Sequence, residues 1–304
     1  MERAEFLGGN ASQGGGVALG RENLILRANA RFHSVKDYPG PLSIKTVTKG
    51  LAIWRHDGRD LPLRQESFLV LGDGHPYSLT IEAREPVHTC CAFFAKGFVE
   101  SVHHSLTQRD LEPESFIQID FLSHIHPRDE CVLRRIGHIA GRMAPAPMWI
   151  DEQFVGLAHD LLFLYEQVRK RIGRLPGRKP ATREELYRRV SRGRDFIHAR
   201  AFGSINLGEV ARASFLSPYH FHRAFRGAFG ISPHEYVTRL RIDRAAHLLE
   251  TARDLSVMKV AEKVGFESAT SFANLFRRHK GLSPSALRGI ERESSADVCL
   301  APLS

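Results

Sequence analysis

Cysteine is scarce: four in 304 residues, Cys90, Cys91, Cys131 and Cys299, with no C-x-x-C pair and two of them adjacent. That spacing is poor geometry for a disulfide framework or a zinc site, so the expectation is reduced thiols in a cytoplasmic protein. Long apolar runs are missing as well. The longest candidate, Leu157 to Tyr165, is interrupted by His159 and Asp160 and falls short of the roughly 18 apolar residues that span a bilayer. The opening Met1-Glu2-Arg3-Ala4-Glu5 has no cationic-then-apolar export pattern, so no membrane partner is expected. No P-loop, dinucleotide-binding glycine pattern or Ser-His-Asp elbow occurs, which leaves no expected catalytic residue. A composition of 42% hydrophobic and 25% charged residues excludes a disordered or collagen-like chain, and the length suits two average domains.

Charge is unevenly spread. Residues 1–168 carry 17 Lys and Arg against 21 Asp and Glu; residues 169–180 carry six basic and no acidic groups; residues 181–290 carry 19 against 10. The positive field of the net +9 chain therefore sits in its last third and the segment leading into it, which points to an acidic partner for that third alone. Most of these cations are Arg, whose planar fork suits phosphates and base edges.

Met1 to Gly20 holds the Gly8-Gly9 and Gly14-Gly15-Gly16 clusters and reads as a flexible tail, taken as residues 1–22. From about Leu24 to Phe98, short Val-, Ile-, Thr- and aromatic-rich segments alternate with turn residues. They are Leu42 to Thr48, Leu51 to Arg55, Ser67 to Leu71, Tyr77 to Ile81 and Val87 to Phe94, with Pro39-Gly40-Pro41, His56-Asp57-Gly58, Gly72-Asp73-Gly74 and Glu85-Pro86 as turns. Seven or so such strands predict a sandwich or small barrel over residues 23–125. Asp129 to Met143 and Asp151 to Ile172 show helical periodicity, as in Phe154, Leu157, Ala158, Leu161, Leu162 and Tyr165. They predict an antiparallel helix pair within residues 126–172, a dimerisation element. An exposed basic linker, 173–181, containing Pro176-Gly177, follows.

Beyond residue 180 helix starts are explicit. Thr182 to Glu185 fits a capping box, Asn206 to Glu209 is a looser relative, and Ser217-Pro218, Ser232-Pro233 and Ser283-Pro284 each place Ser before Pro. An internal repeat is present. Val210-Ala211 recurs fifty residues on as Val260-Ala261, and Phe221-x-x-x-Phe225-Arg226 recurs fifty-one on as Phe272-x-x-x-Phe276-Arg277. Each copy reads as a short helix (Leu207 to Ser214; Val257 to Val264), a tight turn, and a second helix (Pro218 to Phe229; Ser268 to Lys280). That is the helix-turn-helix layout, whose second helix enters the major groove. Pro233 to Glu250 predicts one helix of about 27 Å between the copies, a spacer compatible with the roughly 34 Å of one DNA turn.

The helical wheel separates core from reading face. In the first copy Phe221, Ala224, Phe225 and Ala228 share one side, leaving Tyr219, His222, Arg223 and Arg226 opposite, with His220 on the flank. In the second, Phe272, Leu275 and Phe276 are the core side and Thr270, Ala273, Asn274 and Arg277 point outward. Arg223 suits a paired bond to guanine O6 and N7, and Asn274 one to adenine N6 and N7, each adding about 1–3 kcal/mol of discrimination. The base-reading candidates are Tyr219, His220, His222, Arg223, Thr270, Ala273 and Asn274; the phosphate candidates are Ser217, Arg226, Ser268, Arg277, Arg278 and Lys280. His220 and His222 are open to a base, a phosphate or water.

The stretch from about Ile205 to Arg288 resembles the AraC family of bacterial transcription regulators. The carrying motifs are Ala211-x-x-Ser214-x-Leu216-Ser217, Phe225 to Phe229-Gly230-Ile231-Ser232-Pro233, Arg239-Leu240-Arg241 to Ala245-x-x-Leu248-Leu249, and Val260-Ala261-x-x-Val264-Gly265-Phe266 to Gly281-Leu282-Ser283-Pro284. The resemblance implies two helix-turn-helix subdomains joined by a central helix, residues 182–290, that bind promoter DNA and contact RNA polymerase. Phe215 stands where the family often has Gly, and Asn274 where many members have Arg. More loosely, Tyr38-Pro39-Gly40-Pro41-Leu42-Ser43-Ile44-Lys45, Gly72-Asp73-Gly74-His75-Pro76-Tyr77 and Phe93-Phe94-Ala95-x-Gly97-Phe98 resemble the family's cupin-like sensing domain.

Many cupins are metal enzymes with H-x-H, Glu and a later His in the strands. Here the H-x-H of the N-terminal half, His124-Ile125-His126, falls beyond the expected strands, and His33, His56, His75 and His88 have no carboxylate fixed by spacing; no metal or cofactor is expected. The expected fold is α+β multidomain: an N-terminal cupin-like β-barrel, a helical dimerisation and linker segment, and a C-terminal all-α double helix-turn-helix, with a tail at 291–304. The expected function is a sequence-specific transcription regulator, an activator more than a repressor, homodimeric, with double-stranded promoter DNA, RNA polymerase and a small-molecule effector as partners. The competing readings are a cupin-type metalloenzyme whose helical third only assembles it, and a sequence-indifferent DNA binder.

Overall fold

The computed structural model describes residues 3–7, 19–107, 119–127, 130–142, 146–252 and 254–289. The chain divides into two compact units, Met1–Asp195 and Phe196–Ser304. The expected tail at 291–304, with Cys299, lies outside the described residues.

Among the described residues the first unit is an eight-stranded, nearly closed antiparallel barrel with helices packed on it. Its strands are β1 (Arg3–Leu7), β2 (Leu24–Pro39), β3 (Ser43–Lys49), β4 (Ala52–His56), β5 (Arg59–Leu63), β6 (Ser67–Leu71), β7 (Pro76–Phe93) and β8 (His124–Pro127). The main path runs β1-β2-β7-β3-β6-β8, and β4 pairs with both β5 and β7. Helices α1 (Phe98–Thr107), α2 (Glu130–Gly141), α3 (Pro147–Gly173) and α4 (Pro180–Arg200) follow, the division between units falling inside α4.

Two sequence expectations about the strands need correction. Glu85-Pro86 is no turn: β7 continues through it as one strand of 18 residues, paired with β2. The register there jumps from Ala30↔Val87 to Phe32↔Glu82, so Pro86 sits in a bulge, where its missing N–H breaks no ladder bond. Similarly, Arg3–Leu7, expected inside the flexible tail, forms β1 against β2, with Arg3 opposite Asn29 and Leu7 opposite Ile25. Edge strand β5, with Asp60 and Pro62, carries too little β signal to be read from sequence.

Period-two alternation sorts side chains onto two apolar faces. Leu69, Leu71, Val47, Trp54, Cys91, Phe93 and Ile125 fill the barrel interior. Ile44, Phe68, Val70, Cys90 and Ala92 face outward and are covered by Ile136 and Ile139 of α2 and by Phe154, Leu157 and Leu161 of α3. The helix pair thus exists, and an Arg135–Asp160 ion pair of 2.8 Å joins its members. Because both faces are covered, β6 reads as an unbroken apolar run.

Lys45 also points inward, 1% exposed, its Nζ donating to the Tyr77 hydroxyl at 3.2 Å and lying 3.7 Å from the centre of the Phe93 ring. Burial brings its pKa down from 10.5 to about 8, partly offset by Cys91. Folding therefore penalises the charged amine fully below pH 8, and the penalty fades as pH rises from 8 towards 10.5, where only the unfolded chain keeps the proton. Lys45→Met is expected to stabilise the barrel by about 1–3 kcal/mol at neutral pH. It should also abolish the gain in stability between pH 8 and 10.5, both measurable by urea unfolding.

The linker is shorter than its expected range, since α3 ends at Gly173 and α4 begins at Pro180. Thr182 is no N-cap but lies in the first turn, its N–H donating to the Lys179 carbonyl at 3.1 Å, because Pro180 at the first helical position starts the helix earlier. The first part of α4 belongs to the barrel unit. Arg194 donates to the Ile125 carbonyl at 2.6 Å, the Ile125 N–H donates to Asp195 at 3.3 Å, and Asp195 accepts from Arg59 at 2.5 Å. These bonds finish the outer edge of β8, which among the described residues pairs only with β6.

Candidate nucleic-acid interface

The second unit is helical. It contains the end of α4, then α5 (Leu207–Ala213), α6 (Pro218–Phe229), α7 (Pro233–Thr251), α8 (Val257–Lys263) and α9 (Ala269–Lys280), with a further helical stretch at 284–289. The copies of the repeat match in length, seven and twelve residues each.

Side-chain caps set the starts of these helices. The Ser217 hydroxyl accepts from the His220 N–H at 3.3 Å, Ser232 from Glu235 at 3.1 Å, Ser256 from Lys259 at 3.2 Å and Ser268 from Ser271 at 3.3 Å. Glycines 230 and 281 end α6 and α9 in the left-handed region, at φ 77° and 79°. Between the paired helices the turns close alike: Leu216 N–H donates to Ala211 O and Phe266 N–H to Ala261 O, each at 3.0 Å. Gly265 takes φ 88° there; its counterpart Phe215 takes φ 54° at 67% exposure, a conformation costing a residue with Cβ about 1–2 kcal/mol. The second turn is one residue longer, Glu267 being the insertion, which accounts for the change of repeat spacing from fifty to fifty-one.

Packing fixes which sides of α6 and α9 face outward. Phe221, Ala224, Phe225 and Ala228 are buried in α6, and Phe225 meets Tyr236 of α7 at 5.4 Å between ring centres. Phe272 and Phe276 of α9 are buried with Val260 and Ala261 of α8, with Val264 at its C-terminal cap, and with Ile242, Ala245 and Leu249 of α7. Both reading helices are thus held through α7, which spans about 28 Å.

On the outward sides Tyr219, His220, His222, Arg223 and Arg226 of α6 are exposed, Tyr219 at 69%. On α9, Thr270, Asn274, Arg277, Arg278 and Lys280 are exposed and Ala273 is half-buried. Among the described residues, Arg223, Arg226, Arg277 and Arg278 have no carboxylate partner, whereas Lys280 is bonded to Asp243 of α7 at 2.6 Å. His220 Nδ1 lies 3.0 Å from the Ser217 hydroxyl, which ties that ring to the helix start. The caps Ser217 and Ser268 sit at the N-termini of α6 and α9, where backbone N–H groups favour an anion.

Arg241 is a residue whose role sequence reasoning missed. From α7 its guanidinium donates to the carbonyls of Ala201 at 2.7 Å, Gly265 at 2.7 Å and Gly203 at 2.8 Å. Burial lowers its pKa from the usual value, against the opposing charge of Glu267. It braces the turn that aims α9, and the signal available was only its place in the Arg239-Leu240-Arg241 motif. Arg241→Ala, which strands these carbonyls, is expected to cost about 1–3 kcal/mol of stability in this unit and to weaken specific DNA binding, as denaturation and mobility-shift titration check.

His124 and His126 are not beyond the strands, as expected, but in β8, buried at 2% and 5% on the helix-covered face. Their alternation with the inward Ile125 turns both rings away from the barrel interior. Among the described residues no group of three His, Cys, Asp or Glu could hold a metal ion, and no helix is long and apolar enough to cross a membrane.

A family model described as a helix-turn-helix domain matches residues 210–289. The probable transcriptional regulator LumQ of Photobacterium leiognathi is 36% identical over 90 residues, 30% of this chain and 36% of that protein. The transcriptional activator AarP of Providencia stuartii is 36% identical over 93 residues, 31% of this chain and 68% of AarP. The DNA-binding domain of AdpA, solved in complex with a target DNA, is 30% identical with a TM-score of 0.33, covering 34% of this chain and 94% of that domain. The chain spans about a third of the length of LumQ and of several other relatives it matches, such as the Msm operon regulatory protein of Streptococcus mutans, at 35%.

Proposed function

The chain belongs to the AraC family of transcription regulators, and from that premise we propose that it binds double-stranded promoter DNA sequence-specifically through α6 and α9 and activates transcription. The observation that carries this is the pair of exposed polar helix faces, each buried on its opposite side against a shared strut, in the net-positive last third of the chain. Arg223 and Asn274 read bases, assisted by Tyr219, His220, His222, Thr270 and Ala273. Ser217, Arg226, Ser268, Arg277 and Arg278 hold phosphates; Lys280 reaches a phosphate only by giving up Asp243. In this reading the protein acts in the cytoplasm as a homodimer through α2 and α3, the barrel takes a small-molecule effector, and the DNA-bound form contacts RNA polymerase.

Competition between a selected duplex and random duplex at physiological salt tests the proposal. A regulator prefers the selected sequence by about 10³-fold or more, and near-equal affinity contradicts it. Arg278→Ala should weaken all sequences alike and flatten the dependence of log affinity on log salt by about 0.9, one phosphate contact; an unchanged slope removes Arg278 from the phosphate set.

A further inference from the structure

Within the barrel unit a cavity of about 320 Å³ lies where the β6–β8 edge meets α3 and α4. Val70, Leu161 and Val168 give it apolar walls, His124 and His126 form its polar floor, and Arg169 stands at its exposed side. Its size is at the low end of the roughly 300–1,000 Å³ of small-molecule sites.

His124 is the unexplained group. It is 98% buried, yet neither ring nitrogen has a hydrogen-bond partner of acceptable geometry; the Leu122 carbonyl is near enough to favour its charged form without making that bond. Burial, then His126, Arg194 and Arg171, hold the ring well towards its neutral form. A buried polar group in this state costs stability, which a ligand oxygen would recover. Both carboxylates at the rim are already engaged, Asp120 by Arg188 at 3.6 Å and Glu184 by Arg188 at 2.8 Å. The Arg169 guanidinium instead lies 6.0 Å from the Tyr165 ring centre.

We propose that this cavity binds a small organic carboxylate with an apolar body, a single-ring or short branched acid, whose carboxylate accepts from His124 and faces Arg169. This inference rests on the effector-responsive reading above and places the effector outside the barrel interior, between sheet and helices.

The probe is benzoate, with benzamide as its uncharged match, titrated into the full chain by calorimetry while the histidine ring signals are followed by NMR. Saturable benzoate binding that shifts the His124 signal, with benzamide at least about tenfold weaker, is the expected result. The exposed substitution Arg169→Gln, which leaves the core untouched, should weaken benzoate about tenfold and leave benzamide unchanged. Val168→Phe, which fills the cavity, should abolish both. No saturable binding at millimolar probe, equal binding of the two probes, or binding indifferent to both substitutions overturns the proposal. The same preparation is assayed for sequence-specific DNA binding without probe. Specific DNA binding with no carboxylate binding defeats this inference alone, and carboxylate binding by a protein with no sequence preference defeats the proposed function alone.

Discussion

Replacing Asp195 with alanine is expected to destabilise the barrel unit by about 3–5 kcal/mol, the cost of breaking a buried ion pair from one side. The carboxylate is 1% exposed, accepts from Arg59 at 2.5 Å and from the Ile125 N–H at 3.3 Å, and its removal strands both donors. Burial alone raises its pKa, while Arg59 and Arg194 oppose that, so the charged form survives only because these cations are in place. The double substitution Arg59→Met with Asp195→Leu should recover part of the loss, since it removes the ion pair from both sides while the Ile125 N–H and the buried Arg194 still lose Asp195. Urea unfolding followed by the fluorescence of Trp54, buried in the barrel interior, measures both variants. A single-variant loss below about 1 kcal/mol shows that α4 does not secure β8 through this pair.

Arg223→Ala is expected to lower affinity for a selected duplex by about 10–100-fold while changing affinity for random DNA far less. Phe221, Ala224 and Phe225 anchor α6 from behind, so the side chain between them points away from the core on a rigid helix, where bidentate bonding to guanine is geometrically available. Equal loss on both duplexes would falsify its role as a base reader and leave it a phosphate contact.

The C-terminal third was legible because its signals are local. Serine caps one residue before the helix start, prolines after some of them, and a repeated Phe-x-x-x-Phe spacing place helices to within a residue or two. The barrel was less legible for a physical reason. Strands covered on both faces, such as β6, lose their alternation; β7 looked like two strands because Glu85-Pro86 in a bulge reads as a turn, and β8, with two polar rings in four residues, did not look like a strand. Groups that act across long separations were hidden altogether. Arg241 meets Ala201 across 40 positions, and Asp195 meets Arg59 across 136; nothing near either residue in sequence announces the partner. The outward faces of α6 and α9, in contrast, followed directly from the wheel, with Ala273 half-buried and Lys280 already paired as the departures.

The central claim is that α6 and α9 enter consecutive major grooves on one face of the duplex. Methylation of guanine N7, which blocks the major groove at single positions, tests it on a selected duplex. Two clusters of interference centred about 10 base pairs apart, one of which vanishes in Arg223→Ala, are the predicted result. A single cluster, or binding indifferent to methylation throughout, contradicts it.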